Sequence, residues 1–249
     1  MTYSIVAHDE TTGEFGVAVA SRFFAVGALV PHIRAGKGAV ATQAFVSPIW
    51  GIDAADRLAA GEAPQDVLAA LTQADEGRAN RQLHMVDAQG RTAAFTGESC
   101  VGWCGHVTAR GVSVAGNMLT GEAVIADTLA AYRDHPGLPL AERLMTAMEA
   151  GERAGGDKRG KQSAALVIHR SEPYPWLDIR ADDHADPLTE LRRLYDVAHE
   201  RFLFMADILP TRTNPHGLTD RSGVDAAIAE AEQRRRDEGR ESRSFATPL

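Results

Sequence analysis

Residues 2–21 read TYSIVAHDETTGEFGVAVAS, two apolar runs on either side of a polar stretch that contains one glycine. Runs 5–7 and 17–20 predict two strands, and residues 11–14 (Thr-Thr-Gly-Glu) predict the turn between them. Because both runs are almost continuously apolar, they are typical of a sheet covered on both faces. The opening of the chain therefore predicts a buried sheet.

Beyond residue 21 the chain alternates between strand-like runs and helix pairs. Apolar residues at helical spacing, together with prolines near helix starts, predict the helices. This order predicts stacked sheets with helices on both outer faces. The predicted strands are 26–31, 39–43, 82–87, 91–95, 105–109, 111–115, 162–169 and 177–181, and the predicted helices are 50–60, one that starts near Pro64, 119–133, 139–150 and 188–204.

The composition changes after residue 210, where a linker-like stretch precedes a highly charged helix predicted at 225–240. The apolar side of this helix consists only of Val224, Ile228 and Ala231, so it cannot fold alone. We therefore predict a domain over residues 1–208 and a linker with a helical arm over residues 209–249. The arm is either docked, with a neighbouring subunit as one docking partner, or a mobile tail. A homo-oligomer of at least two chains is predicted.

The bulk composition limits the classes of function. A chain of 249 residues can bury a core without disulfides, and its two cysteines favour a reducing compartment. A net charge of −8 argues against a nucleic acid or an anionic membrane as partner. The first residues lack the basic region and apolar core of a signal peptide. These features predict a cytoplasmic protein. No cofactor is predicted, and the expected partners are a small-molecule substrate and further copies of the chain.

Thr2 is the candidate nucleophile. Methionine aminopeptidases generally remove Met1 when a small residue follows, and Thr2 is small. After this removal, Thr2 would carry both a hydroxyl and a free α-amine with a pKa of about 7.7–8.0. Such an amine can act as the general base for its own hydroxyl near neutral pH. A threonine after the initiator methionine is also commonplace without any function.

Seven blocks of sequence together carry a resemblance to a known family: TYSIVAHD at 2–9, TGEFGVAVAS at 12–21, GAVATQ at 38–43, AFTG at 94–97, GN at 116–117, GGDKRGKQSA at 155–164 and RADDH at 180–184. They resemble a family called domain of unknown function 1028, which is placed in the N-terminal-nucleophile hydrolase superfamily. The resemblance covers roughly residues 2–200. It implies an α+β fold, a four-layer αββα sandwich with two mainly antiparallel sheets.

The order of elements also resembles that of a proteasome β subunit at three places. Residues 16–22 are similar to the second strand of such subunits and the Ser-Arg after it, and residues 115–117 to the glycine-rich turn near the active threonine. Asp157, after a helix and before a strand, is similar to their aspartate. The catalytic lysine of these subunits has no matching motif here, although residues 32–37 cover the corresponding stretch.

The loop 155–163 carries the densest polar chemistry of the chain. Asp157 can orient a neighbouring amine, and Arg159 can hold a carboxylate through two hydrogen bonds. Gln162 and Ser163 open the next predicted strand, where their side chains could point into a cleft. The alternative is a structural loop whose Asp157–Arg159 pair caps a turn.

Two further polar sites end predicted apolar runs. Asn117 is predicted at the start of a helix, where it could donate to an oxyanion together with the main-chain amide of Gly116 or Met118. The alternative is a turn residue. Thr42 and Gln43 end a buried-looking strand, and a buried polar pair needs hydrogen-bond partners. The pair could therefore form the wall of a site.

Two segments suggest a metal, and each has a simpler interpretation. Asp182 and His184 lie on one face of a strand, but a catalytic metal needs at least one more ligand, and an ion pair with Arg180 is the alternative. Cys100 and Cys104 have a zinc-like spacing without two further ligands, which favours buried thiols. No metal site is predicted, and a metal-assisted hydrolase stays as a weaker alternative.

Together these residues predict an amide hydrolase in which Thr2 takes the acyl group. Asp157 would orient its amine, Asn117 would hold the oxyanion, and Arg22 or Arg159 would bind a substrate carboxylate. A small acylamino-acid or dipeptide-like amide is the expected substrate.

The catalytic set Thr2, Asn117, Asp157 and Ser163 is expected around one cleft, with Gln43 and Gln162 as further substrate contacts. Ser4 is the alternative hydroxyl. The alternative function is a non-catalytic binding or assembly protein on the same fold.

Overall fold

A computed structural model describes residues 2–247, and it has a mixed α+β fold. The strands in chain order are β1 (Thr2–His8), β2 (Phe15–Ser21), β3 (Pro31–Arg34), β4 (Gly38–Ala44), β5 (Arg81–Asp87), β6 (Thr92–Thr96), β7 (Trp103–Ala109), β8 (Val112–Leu119), β9 (Ser163–His169) and β10 (Leu177–Ala181). The α-helices are α1 (Pro48–Ala59), α2 (Pro64–Ala74), α3 (Ala123–Asp134), α4 (Leu140–Arg153), α5 (Pro187–Val197), α6 (Leu203–Ala206) and α7 (Ser222–Asp237).

The strands form two sheets. The larger sheet has the order β10-β9-β2-β1-β8-β7, and the smaller one has the order β3-β4-β5-β6. Neighbouring strands pair antiparallel in both sheets. The prediction of two antiparallel sheets with helices is confirmed, and β1 lies inside the larger sheet with a partner on each side.

Three clusters of buried side chains show how these elements pack. The first lies between the larger sheet and α3, α4 and α5, and it includes Ile5 and Leu144. The second lies between the two sheets and includes Val6 and Val86. The third lies between the smaller sheet and α1 and α2, and it includes Leu58. Because Ile5 and Val6 point to different clusters, β1 needs apolar residues on both faces, as its sequence predicts.

The strand predicted at 26–31 is wrong. Ala25 has a left-handed φ of 52°, and a 3₁₀-helix follows at Val26–Ala28, so that the strand β3 starts only at Pro31. Val26 and Val30 still pack into the cluster between the sheets. The run is apolar because it is buried, and a short apolar run does not by itself distinguish a strand from a helical turn.

The helices predicted at 119–133 and 139–150 have other bounds. Asn117 lies within β8 and not at a helix start, because β8 continues to Leu119 through pairing with β1 and β7. The helix predicted to end at residue 150 continues to Arg153, so Gly151 lies inside α4. A Cβ there would be only 2.3 Å from the Thr128 hydroxyl of α3, so this glycine permits the close contact between the two helices.

The segment after residue 210 docks on its own chain. Ile228 of α7 is only 4% exposed, and Arg235 pairs with Glu200 at 3.4 Å. Further along, the Arg193 guanidinium lies 4.0 Å from the centre of the Phe245 ring. These contacts join the arm to the end of α5 and the π-helical turn Ala198–Phe202 after it. Among the described residues, no helix is long and apolar enough to cross a bilayer.

Candidate functional site

The strand register brings distant polar residues into one row. Thr2 pairs with Ser21 on β2 and with Asn117 on β8, and Ser21 pairs in turn with Ser163 on β9. All four side chains are buried at the same end of the larger sheet. Further along the same face of β1, Ser4 is also buried and polar, and Val6 belongs to the apolar cluster between the sheets. The register therefore places three of the four predicted catalytic residues across adjacent strands.

Thr2 is the centre of this row. The residue is 6% exposed, and its hydroxyl shares a hydrogen bond of 3.1 Å with the Ser21 hydroxyl. On the other side, Asn117 Nδ2 donates to the Thr2 carbonyl oxygen at 3.4 Å, a weak contact. Ser163 is two strands away, about 10 Å at the usual spacing of strands, so its hydroxyl is not a direct neighbour of Thr2.

Asp157 reaches the row through the main chain after Ser21. One carboxylate oxygen accepts from the amide of Arg22 at 2.9 Å, and the other accepts from the amide of Arg159 at 2.8 Å. Asp157 also forms an isolated bridge with Leu119, the last residue of β8. Asp157 thus contacts the end of β2 through its carboxylate and the end of β8 through its main chain, and these two strands flank Thr2.

Ser163 organises the loop that follows β2. Its hydroxyl donates to the Phe23 carbonyl at 2.5 Å and accepts from the Val26 amide at 3.2 Å. Ser163 is fully buried, so these bonds replace the hydration that its hydroxyl loses. The geometry favours a role in holding residues 22–30 beside Thr2.

The predicted substrate-binding residues separate into two groups. Arg22 Nη1 donates to the Arg159 carbonyl at 2.6 Å, and Arg159 Nη2 donates to the Arg22 carbonyl at 3.1 Å. Both side chains are exposed near Thr2. Gln162, in contrast, donates to Asp183 at 3.2 Å on the surface.

A small pocket of about 50 Å³ opens beside Thr2. Thr2 and Gln43 form its polar side. The remaining wall is largely aliphatic and includes Val26, Leu29, Val30 and Val46. We call this cavity the Thr2 pocket. Larger depressions of about 750 and 780 Å³ lie at the far end of β1 and beside the arm, and neither is lined by a predicted site residue.

Gln43 belongs to a network that extends from Thr2 into the layer between the sheets. Gln43 Nε2 donates to Gln82 Oε1 at 3.0 Å, and Asn117 Nδ2 donates to the same oxygen at 2.9 Å. Gln82 Nε2 donates to the Gly116 carbonyl at 2.7 Å. These bonds satisfy the amide groups of three residues that are at most 2% exposed.

The network continues to Ser4 and His84. The Ser4 hydroxyl donates to Gln43 Oε1 at 2.6 Å, so it accepts from His84 Nε2 at 2.8 Å. The His84 Nδ1 then accepts from the Ser113 hydroxyl at 3.1 Å. Burial, and to a smaller extent the nearby His106, lower the pKa of His84 from 6.5 to about 3, so the ring is neutral. The buried hydrogen-bond chain comprises Ser113, His84, Ser4, Gln43, Gln82 and Asn117.

Sequence reasoning missed Gln82, His84 and Ser113. The pattern that could have revealed these residues is the alternation of side chains along a strand. It places Gln82 and His84 on one face of β5, and Ser113 and Asn117 on one face of β8. Ser4, the alternative hydroxyl, is fully buried and bonded on both sides. Its burial favours Thr2 as the group that a substrate can reach.

Backbone strain is concentrated around the same site. Among residues 2–247, the non-glycine residues with positive φ are Ala25 at 52°, Ala44 at 70° and Met118 at 51°. Ala25 lies in the loop 22–30, Ala44 follows Gln43, and Met118 follows Asn117. A left-handed non-glycine residue costs about 1–2 kcal/mol, and such strain is often found at functional sites.

The segments that suggested a metal have structural contacts. Arg180 pairs with Asp182 at 3.8 Å, which agrees with the ion-pair interpretation. Cys100 and Cys104, which were predicted to be buried, are only half-buried. Cys104 Sγ contacts the Cys100 carbonyl at 3.6 Å. Within the described part of the chain, no group of three or more potential ligands is placed to hold a metal ion.

Comparison with known proteins identifies relatives of unknown function. The sequence matches the model of a family described as a family of unknown function (DUF1028) over residues 2–191. The crystal structure of protein SPO2555 from Silicibacter pomeroyi, described by the same family name, is 33% identical with a TM-score of 0.81. The match covers 88% of this chain and 99% of that one. No curated protein matches the chain.

A more distant solved structure is Anbu (ancestral beta-subunit) from Yersinia bercovieri. It is 11% identical, with a TM-score of 0.39 over 84% of this chain and 98% of that chain. A likeness at this level carries no argument about fold or function.

Proposed function

Because the chain belongs to the DUF1028 family of unknown function, its activity has to be argued from the site, and we propose that it is an amide hydrolase of the N-terminal-nucleophile type. The proposal includes a four-layer αββα sandwich, supported by the three buried clusters on and between the sheets. The substrate is a small acylamino-acid or dipeptide-like amide.

The placement of Thr2 carries this proposal. A nucleophile on the first strand needs other polar groups brought to it by later elements. Ser21 contacts its hydroxyl, and Asn117 contacts its carbonyl. The Asp157 carboxylate accepts from the amide of Arg22, the residue after Ser21. Thr2 also lines a pocket, so a substrate has a place beside its hydroxyl. Strained backbone around this pocket supports the same assignment.

The proposed reaction has two steps. Thr2 Oγ1 attacks the amide carbonyl carbon, and its proton passes through the free α-amine of Thr2 to the leaving nitrogen as the C–N bond breaks. The acyl group is then an ester of Thr2. Water attacks this ester, the carboxylic acid leaves, and the proton returns to the threonine oxygen. The mechanism requires removal of Met1, which lies outside the described residues.

Asn117 and Asp157 support these steps in different ways. The contact of Asn117 Nδ2 with the Thr2 carbonyl is long, so this proton can be redirected to an oxyanion on the substrate. Its other amide proton remains bound to Gln82. Asp157 acts through the main chain of Arg22, which follows the Ser21 that holds the Thr2 hydroxyl. We propose a cytoplasmic setting, which the two free cysteines favour.

Covalent labelling tests this function. The purified protein would be treated with an electrophilic β-lactone, and intact-mass and peptide mass spectrometry would identify the first residue of the mature chain and the labelled residue. We expect a chain that starts at Thr2 and an ester on its hydroxyl. Thr2→Ala should abolish labelling, and Thr2→Ser should retain it because the hydroxyl and amine remain.

Thr108→Ala is the matched control, because Thr108 lies on β7 of the same sheet with an exposed side chain. This variant should label like the wild type. A mature chain that keeps Met1 and shows no label at Thr2 would contradict the proposal. It would support a non-catalytic binding protein instead.

A further inference from the structure

The wall of the Thr2 pocket is largely aliphatic. Val26, Leu29 and Val30 come from the loop after β2, and Val46 comes from the segment after β4. Phe23 lines the same pocket and is 49% exposed. Of the lining side chains, Thr2 and Gln43 are polar, and none is charged. The α-amine of Thr2 serves the proposed reaction in its neutral form, as the base. An uncharged group is therefore expected in this pocket, because no charged side chain there would offset the dehydration of an ion.

The size of the pocket limits the group further. One water-sized group needs about 10–15 Å³ of pocket volume, so the 50 Å³ of this pocket hold on the order of four such groups. An aliphatic group of three to four carbons fills this space, whereas a benzyl group or a long alkyl chain exceeds it. A methyl group leaves much of it empty.

The surface beside Thr2 carries basic residues, although the protein as a whole carries a charge of −8. Arg22 directly follows Ser21, the partner of Thr2, and it is exposed together with Lys158 and Arg159. Arg159 pairs with the buried Asp157 at 3.4 Å. The bond of Arg22 to the Arg159 carbonyl uses one of the five N–H donors of its guanidinium. The remaining fork matches the geometry of a carboxylate. A local basic patch on an acidic protein attracts an anionic substrate to this side.

The chemistry of the proposed reaction decides which end of the substrate lies on which side. The acyl group stays bonded to Thr2 Oγ1 until water releases it, so its side chain has to fit the pocket that Thr2 itself lines. The leaving amine departs first and needs an open path. Arg22 is exposed and directly follows the Ser21 that contacts Thr2, so it is the cation that we assign to the leaving half.

We propose that the substrates are amides of a short, uncharged aliphatic acid with an amine that carries a free carboxylate, which is held by Arg22. Isobutyryl-glycine is the simplest member of this class. The inference rests on the proposed function of Thr2, and it adds the size and charge of both halves of the substrate. Leu29 and Val46 set the length of the acyl group.

The acyl side is tested with a series of acyl-glycines: acetyl, isobutyryl, octanoyl, phenylacetyl and succinyl. Release of glycine gives kcat/KM for each. The isobutyryl compound has two carbons more than the acetyl compound, and each buried methylene raises kcat/KM about 4-fold, so an advantage of about 15-fold is expected. Succinyl-glycine should be the poorest because its acyl group is charged.

Variants of the pocket wall should move this preference. Leu29 is half-buried, so Leu29→Phe can fill the pocket without opening the core, and it should shift the preference to acetyl-glycine. Leu29→Ala should favour octanoyl-glycine. Leu218→Phe, at a 47% exposed leucine far along the chain, is the matched control and should leave the series unchanged.

The carboxylate side is tested by comparing isobutyryl-glycine with its glycinamide. We expect the amide to have a kcat/KM at least about 10-fold lower, because it loses a charge-assisted bidentate contact. Arg22→Gln should remove this difference. Arg133→Gln, at an exposed arginine at the end of α3, should preserve it.

The two proposals fail in different ways. A protein that takes a covalent label at Thr2 but prefers succinyl- or phenylacetyl-glycine would overturn the substrate assignment alone. Equal rates for the acid and the glycinamide in the wild type would overturn the role of Arg22. A protein without label at Thr2 and without glycine release would overturn the hydrolase function as well.

Discussion

His84 gives the folded protein a sensitivity to acid that the variant His84→Gln would isolate. The ring is fully buried between the sheets, where burial lowers its pKa from 6.5 to about 3. The unfolded chain takes up a proton at this histidine below pH 6.5, whereas the folded chain does not until about pH 3. The stabilisation is therefore present in full above pH 6.5 and is lost as the pH falls below it.

The size of the effect follows from the pKa difference. One unit corresponds to about 1.36 kcal/mol, so His84 removes about 3 kcal/mol of unfolding free energy between pH 6.5 and 4.5, and about 4 kcal/mol by pH 3. In His84→Gln this pH-dependent loss of unfolding free energy is absent. The variant should itself be less stable at pH 8 by about 1–3 kcal/mol, because Ser4 or Ser113 loses a buried partner.

Urea unfolding at several pH values between 8 and 4.5 would measure the effect. The free energy of unfolding of the wild type should fall more steeply than that of His84→Gln, so the two curves approach each other by about 3 kcal/mol. His216→Gln, at an exposed histidine in the linker, is the control and should follow the wild type. Parallel curves for the wild type and His84→Gln would refute the assignment of a buried, neutral imidazole.

Three further outcomes are expected. Ala44→Gly should raise the free energy of unfolding by up to about 1 kcal/mol, because glycine adopts the φ of 70° without strain. Ala39→Gly in the same strand should lower the free energy of unfolding, and urea unfolding of both variants would measure the two changes. Asp157→Asn should lower stability by about 1–3 kcal/mol in the same assay, because an amide cannot accept from both Arg22 and Arg159 amides. Light scattering should show an oligomer for the full chain and a smaller species for a chain that ends at Ile208, and a monomeric mass for both would contradict the predicted role of the arm.

The sequence by itself determined the local elements. The strands β1, β2 and β10 and the helices α1 and α2 follow from short-range patterns: apolar runs bounded by turns, and prolines before helically spaced apolar residues. The sequence blocks also identified the family. The sequence could not decide whether residues 26–31 form a strand or a helical turn, because an apolar run looks the same in a strand and in a buried 3₁₀ turn.

The tertiary structure decided which of these residues meet. Thr2 pairs with Ser21 and Asn117 across 19 and 115 positions of sequence, and only strand register fixes such pairs. The same register extended β8 past Asn117 and turned a predicted helix start into a strand position. His84 looked like an ordinary strand residue in the sequence. Its role appears only when the second sheet covers it, because a buried imidazole has to find its partners on other strands.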